Sequence, residues 1–260
     1  MDATRIQIKL IIVTVLMIGV ALACQLFPEK ETTISSDIGD YSFNSETIID
    51  ALAQGEQGVF SPLSETPTPA PVHHPKTTAW NSLDFLLVAR AFHQFYWQET
   101  LDEWQFCVVW YDYHCADVTR GPYSAKFWLY KVNNRPEGKT SVLHTTSIYR
   151  DGEIIWLEEE KTPVGGQWYY MHTEPEQVRI SAEDAVQIAD ENGGLALRSR
   201  IENNCEISVS ANGPQENEWL VSYIAFSLSP LDHVWDRLFK IKINMDTGNI
   251  TAVYPPGSKK

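Results

Sequence analysis

The spacing of apolar positions changes twice along this chain. From Leu10 to Ala23 it is apolar apart from Thr14; from residue 25 to 78 apolar clusters are few; from Thr78 onward apolar residues recur with helix or strand periods. In Ser82–Gln98, Leu83, Leu86, Leu87, Arg90 and Ala91 follow i, i+3, i+4 spacing, which predicts a helix capped by Asn81 or Ser82. Trp104–Tyr113 is rich in β-branched and aromatic residues, apolar on both faces, and predicts a central strand. Lys126–Val132, Ser141–Tyr149 and Glu153–Glu158 predict three more strands. The last two flank Asp151-Gly152, a hairpin signal in which glycine supplies a positive φ.

A second region repeats this order. Ser181 with Asp184 three residues on predicts a capped helix, its buried face Ala182, Ala185, Val186 and Ala189, ended by Gly193-Gly194. Cys205–Val209 and Trp219–Phe226 predict strands. Phe239, Ile241 and Ile243 alternate with Lys240, Lys242 and Asn244, and Asp246-Thr247-Gly248-Asn249 turns the chain into Ile250–Tyr254. Such alternation implies one buried and one wet sheet face. Ser82 to Ser181 is 99 positions (181 − 82), Cys107 to Cys205 is 98 (205 − 107), and Gly152 to Gly248 is 96 (248 − 152). Three landmarks at nearly one spacing predict a duplication. The expected fold class is α+β, with two helix-on-antiparallel-sheet units in tandem, residues 78–165 and 166–260.

Composition narrows the setting. The chain has 260 residues, 43% hydrophobic with nine Trp, and a formal net charge of −14. It can bury a core, so wholesale disorder is excluded. Its acidity disfavours nucleic acid as a partner, because the phosphate backbone is repelled. Residues 24–77 carry the Pro/Thr-rich run Ser61–Pro71 and more acids than bases, and predict a disordered, self-repelling tether with at most a transient helical turn at Thr47–Gln54.

The start of the chain predicts an address. Arg5 and Lys9 precede an apolar run too short to span a bilayer, and small residues follow. Ala21-Leu22-Ala23-Cys24 resembles the lipobox of bacterial lipoproteins. The resemblance implies lipidation of Cys24, removal of residues 1–23, and anchoring of the rest to a membrane outside the cytoplasm. The alternative is a single uncleaved N-terminal transmembrane anchor.

Ser181–Asp190, the Trp219–Phe226 strand and Phe239–Tyr254 (FKIKINMDTGNITAVY) resemble the PepSY-like family, small cystatin-like domains with a helix packed on an antiparallel sheet. The resemblance implies an extracytoplasmic, non-enzymatic binding or regulatory module for an envelope protein, peptidase or peptide. It brings no catalytic residue. An envelope hydrolase acting on peptide or glycan, and a structural subunit of an envelope complex, are the alternatives.

Candidate chemistry is sparse. Cys107–Cys115 is the expected disulfide if the chain turns between them, with Cys107–Cys205 or three reduced thiols as alternatives. His73-His74 reads as a solvated linker pair, and Asp112, His114 and Cys115 as a surface loop with no second cluster to complete a zinc site. Glu158-Glu159-Glu160 reads as a solvated strand end. No catalytic residue, metal or cofactor is expected. Aromatic residues concentrate in the first unit, as core or as a stacking platform. Trp168-Tyr169-Tyr170 is the segment expected to expose a binding patch.

Overall fold

Asn81 and Ser181 each end an extended stretch and begin a helix with a reciprocal cap. The Asn81 side chain accepts from the Leu83 and Asp84 amides, and the Asp84 carboxylate accepts from the Asn81 amide. Ser181 and Asp184 exchange the same pair of bonds. A computed structural model describes residues 32–56, 59–60, 79–135, 138–162, 175–212, 217–226 and 235–255. In chain order its elements are β1 (Thr32–Ser42), α1 (Ile48–Ala53), α2 (Ser82–Tyr96), β2 (Gln105–His114), β3 (Ser124–Arg135), β4 (Gly138–Tyr149), β5 (Glu153–Thr162), α3 (Ala182–Ala189), α4 (Leu195–Arg200), β6 (Glu206–Asn212), β7 (Glu218–Phe226), β8 (Trp235–Asn244) and β9 (Ile250–Tyr254).

The strands form one antiparallel sheet in the order β1-β5-β4-β3-β2-β6-β7-β8-β9. Two meanders therefore run outward from a central pair, β2 against β6, in which Tyr111 faces Val209. The sheet is continuous across both halves of the chain, and α2 lies on β3 and β4 while α3 lies on β6 and β7. One apolar layer fills the space between. Phe85, Phe92, Phe127, Ile207 and Ile241 are among its fully buried side chains.

Two expectations need correction. Residues 32–53 of the expected tether are folded. β1 pairs with β5 from Thr32↔Thr162 to Ser42↔Glu153, and Tyr41, Ile48 and Phe60 are buried against α2. Backbone pairing to a strand far along the chain supplies what the segment's own side chains lack, and Asp37 and Asp40 guard the edge it presents. Residues 1–31 and 61–78 lie outside the described residues. The buried face of α2 is Phe85, Leu86, Val88, Ala89, Phe92 and His93, while Leu83 is exposed. The two phenylalanines carry more apolar area than the leucines and decide which way the helix faces. Gly193-Gly194 breaks the second helix as expected: Asn192 and Gly193 leave the helical backbone, Gly193 at φ 118°, and a separate short helix, α4, follows. The expected face of α3, with Ala182, Ala185, Val186 and Ala189, is buried. The Asp151-Gly152 hairpin joins β4 to β5 with Gly152 at φ 103°.

Candidate functional site

The densest group of chemistry-bearing side chains lies under α2. His93, on the buried face of that helix, meets His144, on the inward face of β4, with Nε2 and Nδ1 3.1 Å apart. His93 Nδ1 lies 3.2 Å from the Glu99 carbonyl oxygen, which can only accept. His93 must therefore donate from Nδ1, and in the neutral ring its Nε2 accepts from His144 Nδ1. That leaves His144 Nε2 as a lone pair, 3.4 Å from a Glu158 carboxylate oxygen that already accepts from the Trp97 indole at 2.7 Å. Trp97 and Trp104 sandwich the His144 ring at centroid distances of 4.0 and 4.1 Å. Burial, with His93 and Lys131 nearby, pushes the His144 imidazole down to about 3, and burial also lowers His93. At 2% exposure His144 is buried within the interface between helix and sheet.

The open feature lies at the other end of the sheet. Asp190 accepts from Arg198 Nε and Nη2 at 3.2 and 2.8 Å, and from the Tyr223 hydroxyl at 2.7 Å. Arg198 Nη1 also donates to the Cys115 carbonyl. This network ties the Asp190–Gly194 turn and α4 to the sheet and holds them above β8. Between them is a cleft of about 350 Å³ lined by Gly193, Ala196, Leu197, Arg200 and Phe239. Leu195, Ile250 and Val253 are 49%, 37% and 48% exposed. Beside it β9 ends the sheet.

The sequence-predicted residues fare unevenly. Cys24 and Trp168-Tyr169-Tyr170 lie outside the described residues. The expected Cys107–Cys115 disulfide is replaced by Cys115–Cys205, with Cα atoms 5.3 Å apart, and Cys107 is a buried thiol pushed up to about 12 by burial. Cys107 and Cys115 sit near opposite ends of one extended strand, about 25 Å apart at ~3.3 Å per residue. Cys115 and Cys205 instead extend the β2–β6 register by one pair, joined also by a Cys115 amide to Cys205 carbonyl hydrogen bond of 3.0 Å. Asp112 and His114 do not meet as ligands. Asp112 accepts from the Trp110 indole and Ser124, and the His114 ring stacks on Tyr123. Among the described residues no three His, Cys, Asp or Glu side chains converge to hold a metal ion. The Glu158–Glu160 run is not simply solvated, since Glu160 is buried and accepts from Thr140 at 2.8 Å. Of the first-unit aromatics, Trp104, Tyr111, Tyr113 and Tyr130 are core. Sequence reasoning missed His93 and His144. The available signal was a histidine continuing the true apolar stripe four residues after Ala89.

No protein-family model and no curated protein matches the chain. Among solved structures, the full-length peroxisomal multifunctional enzyme type 2 from Drosophila melanogaster aligns at 9% identity over 84% of this chain and 47% of that one, with a TM-score of 0.23. This chain thus spans under half the length of that protein, and a likeness so slight carries no argument. Among the described residues no helix is long and apolar enough to cross a membrane.

Proposed function

We propose that this chain is a cell-envelope lipoprotein, anchored through Cys24, whose folded body is a non-enzymatic binding or regulatory module for an envelope protein, peptidase or peptide. The observation that carries the reading is the Cys115–Cys205 disulfide, because such bonds persist in oxidising, extracytoplasmic compartments. Binding is favoured over catalysis because the His93–His144–Glu158 group is closed beneath tryptophan rings, while the cleft beside β9 is open.

The body is read as two PepSY-like units in tandem. The central register supports this. With an offset of 98 positions Tyr111 corresponds to Val209 (111 + 98), and these two residues face each other in the β2–β6 pair. A residue facing its own counterpart is what a local two-fold axis through the strand pair requires.

The anchor is tested by detergent phase partitioning of cells expressing the full chain. The wild type is expected in the membrane fraction, and Cys24→Ala is expected to abolish lipid labelling and release from residues 1–23. Soluble, unlipidated wild-type protein would overturn the reading.

A further inference from the structure

We propose that the outer edge of β1 takes up an extended cationic peptide segment as an added strand. The inference rests on the binding reading above and names its site and ligand class.

The backbone makes the edge. β1 ends the sheet, and among the described residues its one strand neighbour is β5. The Phe43 amide donates to the Gly152 carbonyl at 2.8 Å, one step past the last β1–β5 pair, Ser42↔Glu153. In an antiparallel ladder alternate residues turn their amides and carbonyls to the same side. Asp37, Gly39 and Tyr41 therefore turn theirs towards β5, as Phe43 does, and Ser36, Ile38, Asp40 and Ser42 turn theirs outward. All four of these residues are exposed. The Ile38 amide agrees with that phase, since it closes locally onto the Asp37 carboxylate at 3.0 Å. Such an outward row of backbone groups is a template for strand addition.

Charge selects the occupant. The sequence has no Lys or Arg between Lys30 and Lys76. Asp37 and Asp40 stand on β1, and β5 beside it carries Glu153 and Glu158–Glu160 against Lys161. The register sets Asp37 opposite Glu158 and Ser36 opposite Glu159. A second copy of this edge would bring acid against acid, so the charges that bar self-pairing admit a strand bearing Lys or Arg.

An apolar contact adds to the charge. Gly39 lies against Trp156 and Tyr41 against Phe92, on the side covered by α2. Ile38 and Asp40 therefore point to the opposite face of the sheet, Ile38 beside Leu157 and Asp40 beside Ile155. At 68% exposure Ile38 is the most exposed of the large hydrophobic side chains described. A strand with apolar residues between its cations covers Ile38 and meets Asp37 and Asp40 on either face.

The test uses the full chain in detergent and a fluorescein-labelled synthetic peptide of sequence KTIKVTK, read by fluorescence anisotropy. Saturable binding is expected, weakened about tenfold by Asp40→Lys and by Ile38→Lys. Glu191→Lys, the same change of net charge at an exposed position in the other half of the chain, is expected to leave it unchanged. The peptide KTPKPTK, equal in charge but unable to pair as a strand, is expected not to bind. N-methylation of alternate peptide amides in one phase is expected to abolish binding, and in the other phase to spare it, because only one set of amides faces the edge. The three protein variants change exposed side chains, and unchanged melting shows that they fold. Absence of saturable binding, equal weakening by Glu191→Lys and Asp40→Lys, or equal binding of the proline peptide would each overturn the inference. Lipidated protein that binds no peptide refutes this inference alone. Unlipidated soluble protein that binds it refutes the anchor alone.

Discussion

His93 and His144 share one hydrogen bond of 3.1 Å in the interior, and the Glu99 carbonyl behind His93 dictates which nitrogen carries the proton. Both imidazoles are held below their ordinary range by burial, His144 at about 3. Below pH 6.5 the unfolded chain therefore takes up protons that the folded chain refuses. Stability is whole above that pH and falls as the pH drops below it, by up to about 1.4 kcal/mol per pH unit for each group, down to about pH 3 for His144. Asp84, Asp112 and Glu206, raised chiefly by burial, act in the opposite sense, equally in the wild type and in a histidine variant. Urea unfolding at pH 6.5, 6.0, 5.5 and 5.0 should show the decline, and His144→Gln should make it shallower. Equal slopes in the two proteins would refute the assignment.

The Cys115–Cys205 bond joins positions 90 apart in sequence at the end of the central strand pair. Its removal by Cys205→Ser should cost roughly 2–4 kcal/mol, since it restricts a long loop of the unfolded chain. Cys107→Ser should leave the bond intact by mass spectrometry of the unreduced protein. Because burial pushes the Cys107 thiol up to about 12, iodoacetamide should label it only after unfolding. Labelling of Cys107 in the native protein, or a Cys107-containing disulfide peptide, would contradict the arrangement.

What the sequence made legible was local. The caps at Asn81 and Ser181, the Asp151-Gly152 turn and the alternating strand of Phe239, Ile241 and Ile243 are each decided by neighbours within a few residues. What escaped was decided by partners far along the chain. β1 owes its place to β5, more than a hundred residues later, and its own side chains announce little. Cys115 found Cys205 because β2 and β6 are neighbours at the centre of the sheet, a pairing that periodicity cannot supply. His144 stands 51 positions from His93, and each in isolation is an unremarked residue in an apolar stripe.

Glu183 links the two helical regions. From the first turn of α3 its carboxylate accepts from the Ser82 amide at 2.8 Å, the Ser82 hydroxyl at 2.7 Å and the Tyr113 hydroxyl at 3.2 Å. It therefore satisfies an otherwise unpaired amide at the start of α2 from across the molecule. Glu183→Ala should cost about 1–3 kcal/mol by stranding buried donors. Glu183→Gln, whose carbonyl oxygen still accepts, should cost less. Thermal melting of both variants measures the order, and an alanine variant as stable as the wild type would deny the link.

Gly39 tests whether β1 belongs to the sheet. It faces Trp156 of β5, and a Cβ at that position would stand 2.6 Å from the indole Cζ2. No side chain fits there unless the indole moves, and Trp156 is buried between Tyr96 and Trp97. Gly39→Ala should therefore lift β1 from β5 or displace the ring, at a cost of about 1–3 kcal/mol. Amide exchange across residues 32–42 should quicken, while β6 and β7, at the other half of the sheet, keep their protection. Ser36→Ala, at an exposed position of the same strand, should change neither. If Gly39→Ala and Ser36→Ala exchange alike, the segment is a tether after all and the sheet begins at β5.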